Sequence, residues 1–216
     1  MGITEEFAVQ LKKEISKGLP GTEVQWELSS SIRRLRGIMG TPGDNTIEAG
    51  VLILLYPKNN RISTVFIQRP DYDGVHGGQI SFPGGKQEIA DRDLIMTALR
   101  ESSEEIGIYT EEVNIISPLT PLFIPVSNTL VTPVVGWMER PPDFRLQKEE
   151  VVYIIEADLR TLLEPGIIKT KPQEIRGEMF DIRYFSFEGH TIWGATAMLL
   201  HELLEIIRRG NLTGLV

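Results

Sequence analysis

The sequence predicts an α/β (α+β) fold, a mixed domain with helices on the faces of a sheet. Three observations carry that expectation. Two β-rich runs, Ala49 to Pro57 and Ser63 to Arg69, are separated by Lys58-Asn59-Asn60-Arg61, a hairpin-like link. Two later stretches repeat apolar residues at helical spacing. The chain has 216 residues, enough for one well-buried core, and shows no internal repeat, low-complexity tract or long linker.

Taken in order, Ile3, Phe7, Leu11 and Ile15 form a stripe that predicts a helix over residues 3–17. A less patterned stretch with Pro20, Gly21 and three serines follows, and Gly40 to Gly43 reads as a loop around Pro42. After the two strands comes a glycine-rich loop from Asp71 to Gly85. In it Phe82 ends a short strand, and Pro83-Gly84-Gly85 turns into a helix from about Asp91 to Ile106, stopped by Gly107. Ile95, Leu99, Ser102 and Ile106 are spaced to face the core. Further strands are expected near Val113 to Ile116, Leu130 to Met138, Val151 to Ile155, Ile167 to Thr170 and Met179 to Phe187. A last helix, Ile192 to Arg209, places Trp193, Ala197, Leu200, Leu204 and Ile207 on one face. The expected organisation is an N-terminal helical extension, residues 1–45, packed on a domain of residues 46–216.

Composition narrows the chemistry. The chain has no cysteine, which removes disulfides, thiolate zinc sites and cysteine nucleophiles. Its formal charge of −8 disfavours nucleic acid as a partner, because phosphate neutralisation needs a basic face. The N-terminus lacks the basic start and apolar run of a signal peptide, and the apolar runs fall far short of the roughly 20 residues that span a bilayer. The expected setting is cytoplasmic, with no membrane; a homodimer is left open. An acidic chain that takes an anionic ligand needs local cations, which a bound divalent metal supplies.

Glu101, Glu104 and Glu105 sit at helical offsets of zero, three and four, on one face beside the apolar stripe. Alone, such a trio reads as a solvated acidic face, since like charges at that spacing repel by about 0.2–0.5 kcal/mol per pair. Its surroundings favour more. The upstream turn at Pro83-Gly84-Gly85 lets backbone carbonyls approach a ligand. Clustered carboxylates with a carbonyl make a hard oxygen site suited to Mg²⁺ or Mn²⁺. Such ions bridge phosphate oxygens and lower the pKa of a bound water.

The stretch from Gly85 resembles the box of the Nudix hydrolases, G-x(5)-E-x(7)-R-E-U-x-E-E-x-G-U. Gly85, Arg100-Glu101, Ser102, Glu104-Glu105, Gly107 and Ile108 fall in its order. The box is one residue longer than the general form, its middle acid is Asp91, and Ser102 takes the place of a small apolar residue. The longer box, Phe82 to Gly85 and Thr97-Ala98-Leu99-Arg100-Glu101 resemble the coenzyme A pyrophosphatase branch. So do His76-Gly77-Gly78-Gln79, Thr132-Pro133 and Ile192 to Ala197. Of that branch's upstream signature, Arg69 and Gly78 are present. Val65-Phe66-Ile67, Pro70 and Gly74 depart from it, and the Gly74 position lacks the branch's second arginine.

The resemblance implies an α/β/α sandwich with a mixed sheet and a metal-dependent pyrophosphohydrolase. Its metal ligands would be Glu101, Glu104, Glu105 and the Gly85 carbonyl. Glu104 and Arg100 are the catalytic candidates, and Arg69 and Lys86 the candidates for substrate phosphate. The implied partner is a small-molecule nucleotide substrate, coenzyme A or an acyl derivative, giving 3′,5′-ADP and 4′-phosphopantetheine. ADP-ribose or another nucleoside diphosphate derivative is the alternative, and a non-catalytic binding module a third reading. Several residues keep two readings. Arg69 could hold phosphate or form a surface ion pair, and Arg100 could orient Glu101 or pair with Asp91. Glu149 or Glu150 could be a remote base, a metal ligand or simply exposed. His76 could act as an acid or base, whereas His190 and His201 read as structural or exposed. Phe123, Trp137 and Trp193 could stack on adenine or pack in the core.

Overall fold

Strand β1 (Ile47–Lys58) organises the molecule because both of its faces are buried. With a period of two, Ile53 and Leu55 join one apolar cluster while Leu52, Leu54 and Tyr56 join another. The computed structural model describes residues 3–29, 40–71, 77–175 and 177–216. Strand β2 (Arg61–Gln68) returns antiparallel to β1 through Asn59 and Asn60, both at positive φ (51° and 59°), as a tight two-residue hairpin turn requires.

Around this pair an eight-stranded mixed sheet is built. Strands β3 (Ile80–Ser81) and β4 (Gly84–Lys86) come from the segment before the carboxylate helix; β3 pairs with β2 and β4 with β1. Strands β5 (Asn114–Pro118) and β6 (Leu122–Ile124) both pair with β7 (Thr129–Trp137). β7 runs parallel to β1 from Ile47 opposite Thr129 to Leu55 opposite Trp137, and β8 (Tyr153–Asp158) lies on β2. A second, antiparallel sheet consists of β9 (Ile168–Ile175), β10 (Glu178–Phe187) and β11 (His190–Trp193).

Helices cover both faces of the large sheet. Helices α1 (Ile3–Ser16) and α2 (Thr22–Glu27) lead the chain, and α3 (Leu94–Ile106) carries the glutamates. A single turn α4 (Leu159–Leu162) precedes the C-terminal α5 (Gly194–Arg209). α1, through Phe7 and Leu11, shares one core cluster with α5 and the face of Ile53, Leu55 and Phe66. α3 packs on the other face, against Leu52, Leu54, Val65 and Ile67. Each such buried side chain contributes about 1.5–3 kcal/mol relative to exposure. Beside the apolar contacts, the buried Glu202 carboxylate on α5 ties the N-terminal segment down. It accepts from Gly21 N–H at 3.1 Å, Gln25 Nε2 at 2.8 Å and Thr120 Oγ1 at 2.5 Å. Among the described residues, no helix is long and apolar enough to cross a membrane.

Several expectations need correction. Pro83-Gly84-Gly85 is not only a turn, since Gly84 and Gly85 begin β4 on β1. The glutamate helix starts at Leu94, not Asp91, because Asp93 is its N-cap and accepts from Met96 N–H at 2.8 Å. Ile192 and Trp193 belong to β11, and α5 begins after them at Gly194, φ 65°. The less patterned stretch after Pro20 contains α2, and β6 adds an unforeseen short strand. Of the glycine-rich loop, Gly74 and His76 lie outside the described residues.

The buried face of α3 includes the expected stripe and is wider than it. Thr97, Ala98, Ser102, Glu105 and Ile106 are buried, while Ile95 and Leu99 are partly so. The cause is Gly50 on β1. A Cβ there would fall on the Leu94 carbonyl oxygen and within 3.0 Å of Ala98 N, so the helix backbone lies directly on the strand. Only small side chains fit beneath so close a helix, and Ser102 satisfies its hydroxyl by donating to the Ala98 carbonyl at 2.6 Å. The substitution Gly50→Ala should therefore push α3 off the sheet and cost about 1–3 kcal/mol in urea unfolding. An unchanged unfolding midpoint would show that this approach is not tight.

Candidate active site

The site lies where β4 and α3 meet. Pairing of β4 with β1 is extended by the Leu52 N–H, which donates to the Pro83 carbonyl at 2.8 Å. This turns the Gly84 N–H toward α3, where it donates to Glu105 Oε2 at 2.8 Å. At Gly85 a Cβ would occupy the place of the Glu101 carboxylate, so glycine is what allows that carboxylate to lie against the strand.

Glu105 is 1% exposed. Its second oxygen, Oε1, forms a 3.0 Å ion pair with Arg69 Nη2 without making a hydrogen bond. Burial pushes the Glu105 carboxyl up to about 7, against the opposing pull of Arg69 and the Gly84 N–H, and nearby Glu101 and Glu150 push the same way as burial. Glu101 is raised as well, by burial first, with Arg100 opposing. Arg69 spans this wall: Nε donates to Ser81 Oγ at 3.1 Å and Nη2 to the Gly84 carbonyl at 2.8 Å.

Arg100 is the hub of the site. Nε and Nη2 grip the two oxygens of Asp91 at 3.0 and 2.9 Å, and Nη2 also donates to the Lys86 carbonyl at 3.1 Å. Nη1 donates to Glu101 Oε1 and to Glu104 Oε2, each at 3.1 Å. These bonds occupy all five guanidinium N–H donors. The Asp91 side chain is fully buried and also accepts from Glu88 N–H at 2.9 Å and Thr97 Oγ1 at 3.0 Å. The hydrogen bonds from Arg100 hold the Asp91 carboxyl well below the ordinary carboxylate range and raise the Arg100 guanidinium above its usual value.

Arg100 thus bonds Glu101 and Asp91 at once. Glu101 and Glu105 face the β4 wall, while Glu104 is exposed and reaches back to Arg100. The Lys86 side chain is exposed, and its carbonyl belongs to the Arg100 network. Glu150 is brought in by the segment that closes the end of α3. Arg145 N–H donates to the Ile106 carbonyl at 2.9 Å and Gln147 N–H to the Glu105 carbonyl at 3.0 Å. Of the pair of glutamates flagged in the sequence, Glu150 is thus the one whose charge is felt by Glu101 and Glu105. Trp137 is buried in the core near Phe7, and His201 bonds Glu27 at 3.1 Å, remote roles for both.

Among the described residues no three His, Asp or Glu side chains already converge on a metal position. The donor set nevertheless fits a hard divalent cation. Every donor is oxygen, and the buried Glu105 Oε1 lacks a hydrogen-bond donor.

Residues 46–196 match the family model of the Nudix domain. The chain is 33% identical over 169 residues to the uncharacterized Nudix hydrolase NudL of Photorhabdus laumondii, covering 76% of this chain and 87% of that one. To the protein of the same name from an Enterobacter species it is 34% identical over 178 residues, 81% and 90% of the two chains. The fold matches a MutT/nudix family protein from Enterococcus faecalis with a TM-score of 0.53 at 13% identity, over 87% of this chain and 73% of that one. The chain belongs to the Nudix family and is a pyrophosphohydrolase of that family.

Two outcomes follow, the first for the metal-free protein. Glu105 has a pKa of about 7 when folded against 4.5 ordinarily, so between these values the folded state keeps a proton that the unfolded state has lost. Its contribution to stability is complete below the lower value and is lost as pH rises through the higher one, with a slope of at most about 1.4 kcal/mol per pH unit. Glu105→Gln should flatten that part of the profile in urea unfolding with chelator from about pH 5 to about pH 8. A variant profile parallel to wild type would refute the raised carboxyl. Separately, Arg100→Lys keeps the charge but loses the planar fork. It should lower metal affinity or turnover by about 10–100-fold, as loss of a partner that orients ligands does. Wild-type kinetics in that variant would remove Arg100 from the site.

Proposed function

We propose that this Nudix enzyme is cytoplasmic and hydrolyses the pyrophosphate of coenzyme A or an acyl derivative, giving 3′,5′-ADP and 4′-phosphopantetheine or its acyl form. The observation that carries the hydrolytic part is the joining of Glu101, Glu104 and Asp91 by one guanidinium beside the Gly84–Gly85 wall and buried Glu105. The coenzyme A part is supported by the longer box and by the Thr97-to-Glu101 and Ile192-to-Ala197 resemblances.

In this reading Glu101, Glu104, Glu105 and the Gly85 carbonyl would hold Mg²⁺ or Mn²⁺, which would supply positive charge to the diphosphate and acidify water. Arg100 is a positioning residue, since its donors are all engaged by protein. Arg69 and Lys86 meet substrate phosphate, Arg69 from the wall it shares with Glu105. Water adds to one phosphorus, the anhydride P–O bond breaks, and the proton of the water passes to a carboxylate, for which Glu104 and Glu150 are the exposed candidates. A second substrate, ADP-ribose or another nucleoside diphosphate derivative, is favoured by Gly74 standing where the branch has arginine.

Product analysis on coenzyme A, ADP-ribose and nucleoside triphosphates tests the assignment. Coenzyme A should be cleaved with the highest kcat/KM, only with added Mg²⁺ or Mn²⁺, and not in excess chelator. A preference of tenfold or more for ADP-ribose, roughly 1.4 kcal/mol in transition-state terms, would replace coenzyme A as substrate. Full turnover in chelator would overturn the cation roles of the glutamates.

A further inference from the structure

A cleft of about 280 Å³ lies between the three-stranded sheet and the end of β2. Its lining includes Gln68, Lys171, Gln173, His190, Thr191 and Trp193, and no lining side chain is acidic. That is notable in a chain with 30 acidic against 22 basic residues. Lys171 Nζ is held in place by Thr191 Oγ1 at 3.2 Å and by the Tyr184 ring, 5.1 Å from its centroid. Among the described residues it has no carboxylate partner. Tyr153 backs the cleft on one side, with its ring 5.8 Å from that of His190 and its hydroxyl 3.3 Å from Gln68 Oε1.

The cleft adjoins the reaction site through a shared wall. Gln68 Nε2 donates to the Gly78 carbonyl at 2.8 Å, and the Arg69 N–H donates to the Gln79 carbonyl at 3.1 Å. Gln68 therefore lines the cleft while its neighbour Arg69 reaches Glu105. The far end of the wall is fixed to α5, where Thr196 Oγ1 donates to the Ile80 carbonyl at 3.0 Å. The Gln68 and Arg69 side chains leave β2 on opposite faces, and the short terminal strand β3 borders both sites, with Ile80 lining the cleft and Ser81 holding Arg69. A ligand with its diphosphate beside Arg69 thus reaches the second polar recess around β3.

We propose that this cleft binds a phosphomonoester carried by the substrate's nucleotide, with Lys171 as its cation and Thr191 and Gln173 as hydrogen-bond donors. The inference rests on the diphosphate-substrate reading and adds a specificity site to it. The volume is just below the ~300 Å³ at which pockets begin to hold a whole small molecule, so it suits one group of a larger ligand. A desolvated phosphate needs a cation and several donors, and the cleft offers both without a competing carboxylate. Lys171 thereby supplies the positive charge that Gly74 does not.

The test uses the full chain in excess chelator, so that binding is read without turnover. Adenosine 3′,5′-bisphosphate should bind about tenfold or more tightly than adenosine 5′-monophosphate by calorimetry. Lys171→Gln should abolish that ratio with melting unchanged, and Thr191→Val should reduce it. A ratio that survives in the folded Lys171→Gln protein overturns the proposal. So does inorganic phosphate binding as tightly as the bisphosphate, which would make the cleft a free-anion site. If coenzyme A is not hydrolysed but the Lys171-dependent ratio holds, the cleft stands and the substrate assignment falls. If coenzyme A is hydrolysed and Lys171→Gln leaves its kcat/KM ratio over 3′-dephospho-coenzyme A unchanged, the cleft falls and the substrate assignment stands.

Discussion

The Arg100–Asp91 pair is the interaction on which the rest of the site depends. A buried carboxylate that takes the Nε–Nη2 edge of a guanidinium with both of its oxygens fixes the plane of that group, and the remaining donors then fix Glu101, Glu104 and the Lys86 carbonyl. A lysine could supply the charge but not five donors in one plane. Asp91 is itself held by Glu88 N–H and Thr97, so the loop before the helix, the helix and β4 are joined at one point. The mutual repulsion of Glu101 and Glu104 is offset there by a single cation, while Glu105 is paired with Arg69.

Around that hub the sheet does the positioning. Parallel pairing of β1 with β7 and antiparallel pairing with β4 place the two glycines of β4 directly beneath the carboxylates. The bare backbone of Gly50 lets α3 lie against β1, which carries Glu105 into the interior. Its buried carboxyl is the cost of that approach, and it leaves an oxygen donor that a cation would satisfy. The same close contact explains why small residues rather than leucines line the inner face of the helix.

Much of this was legible in the sequence, and what was missed has a common cause. Local signals identified the β1–β2 hairpin, the stop at Gly107 and the glutamate helix, because each depends on residues within a few positions. The box resemblance pointed to Arg100, Glu101, Glu104 and Glu105 before their contacts were known. Pairing of Gly84–Lys86 with β1 spans more than thirty residues and leaves no periodic mark in so short a segment. The stripe of Ile95, Leu99, Ser102 and Ile106 does meet the core, but the burial of Thr97, Ala98 and Glu105 beside it was not legible, because it depends on Gly50 lying beneath Ala98. Ile192 fits a helical stripe as well as a strand, and only its pairing with Phe185 decides between them. The Lys171 cleft had no local signal, since its walls come from four separated segments.

The hydrogen bonds of Glu202 bear on where the molecule can be cut. The Nudix family model begins at residue 46, and a fragment trimmed to that boundary would omit α1 and α2. It would leave the Glu202 carboxylate with Thr120 in place of three donors, and would strip the neighbouring face of α5 of Phe7, Leu11 and Leu28. The N-terminal helices are thus a cover for the C-terminal helix, and a minimal folded fragment has to be designed around residue 202 as much as around the carboxylate helix.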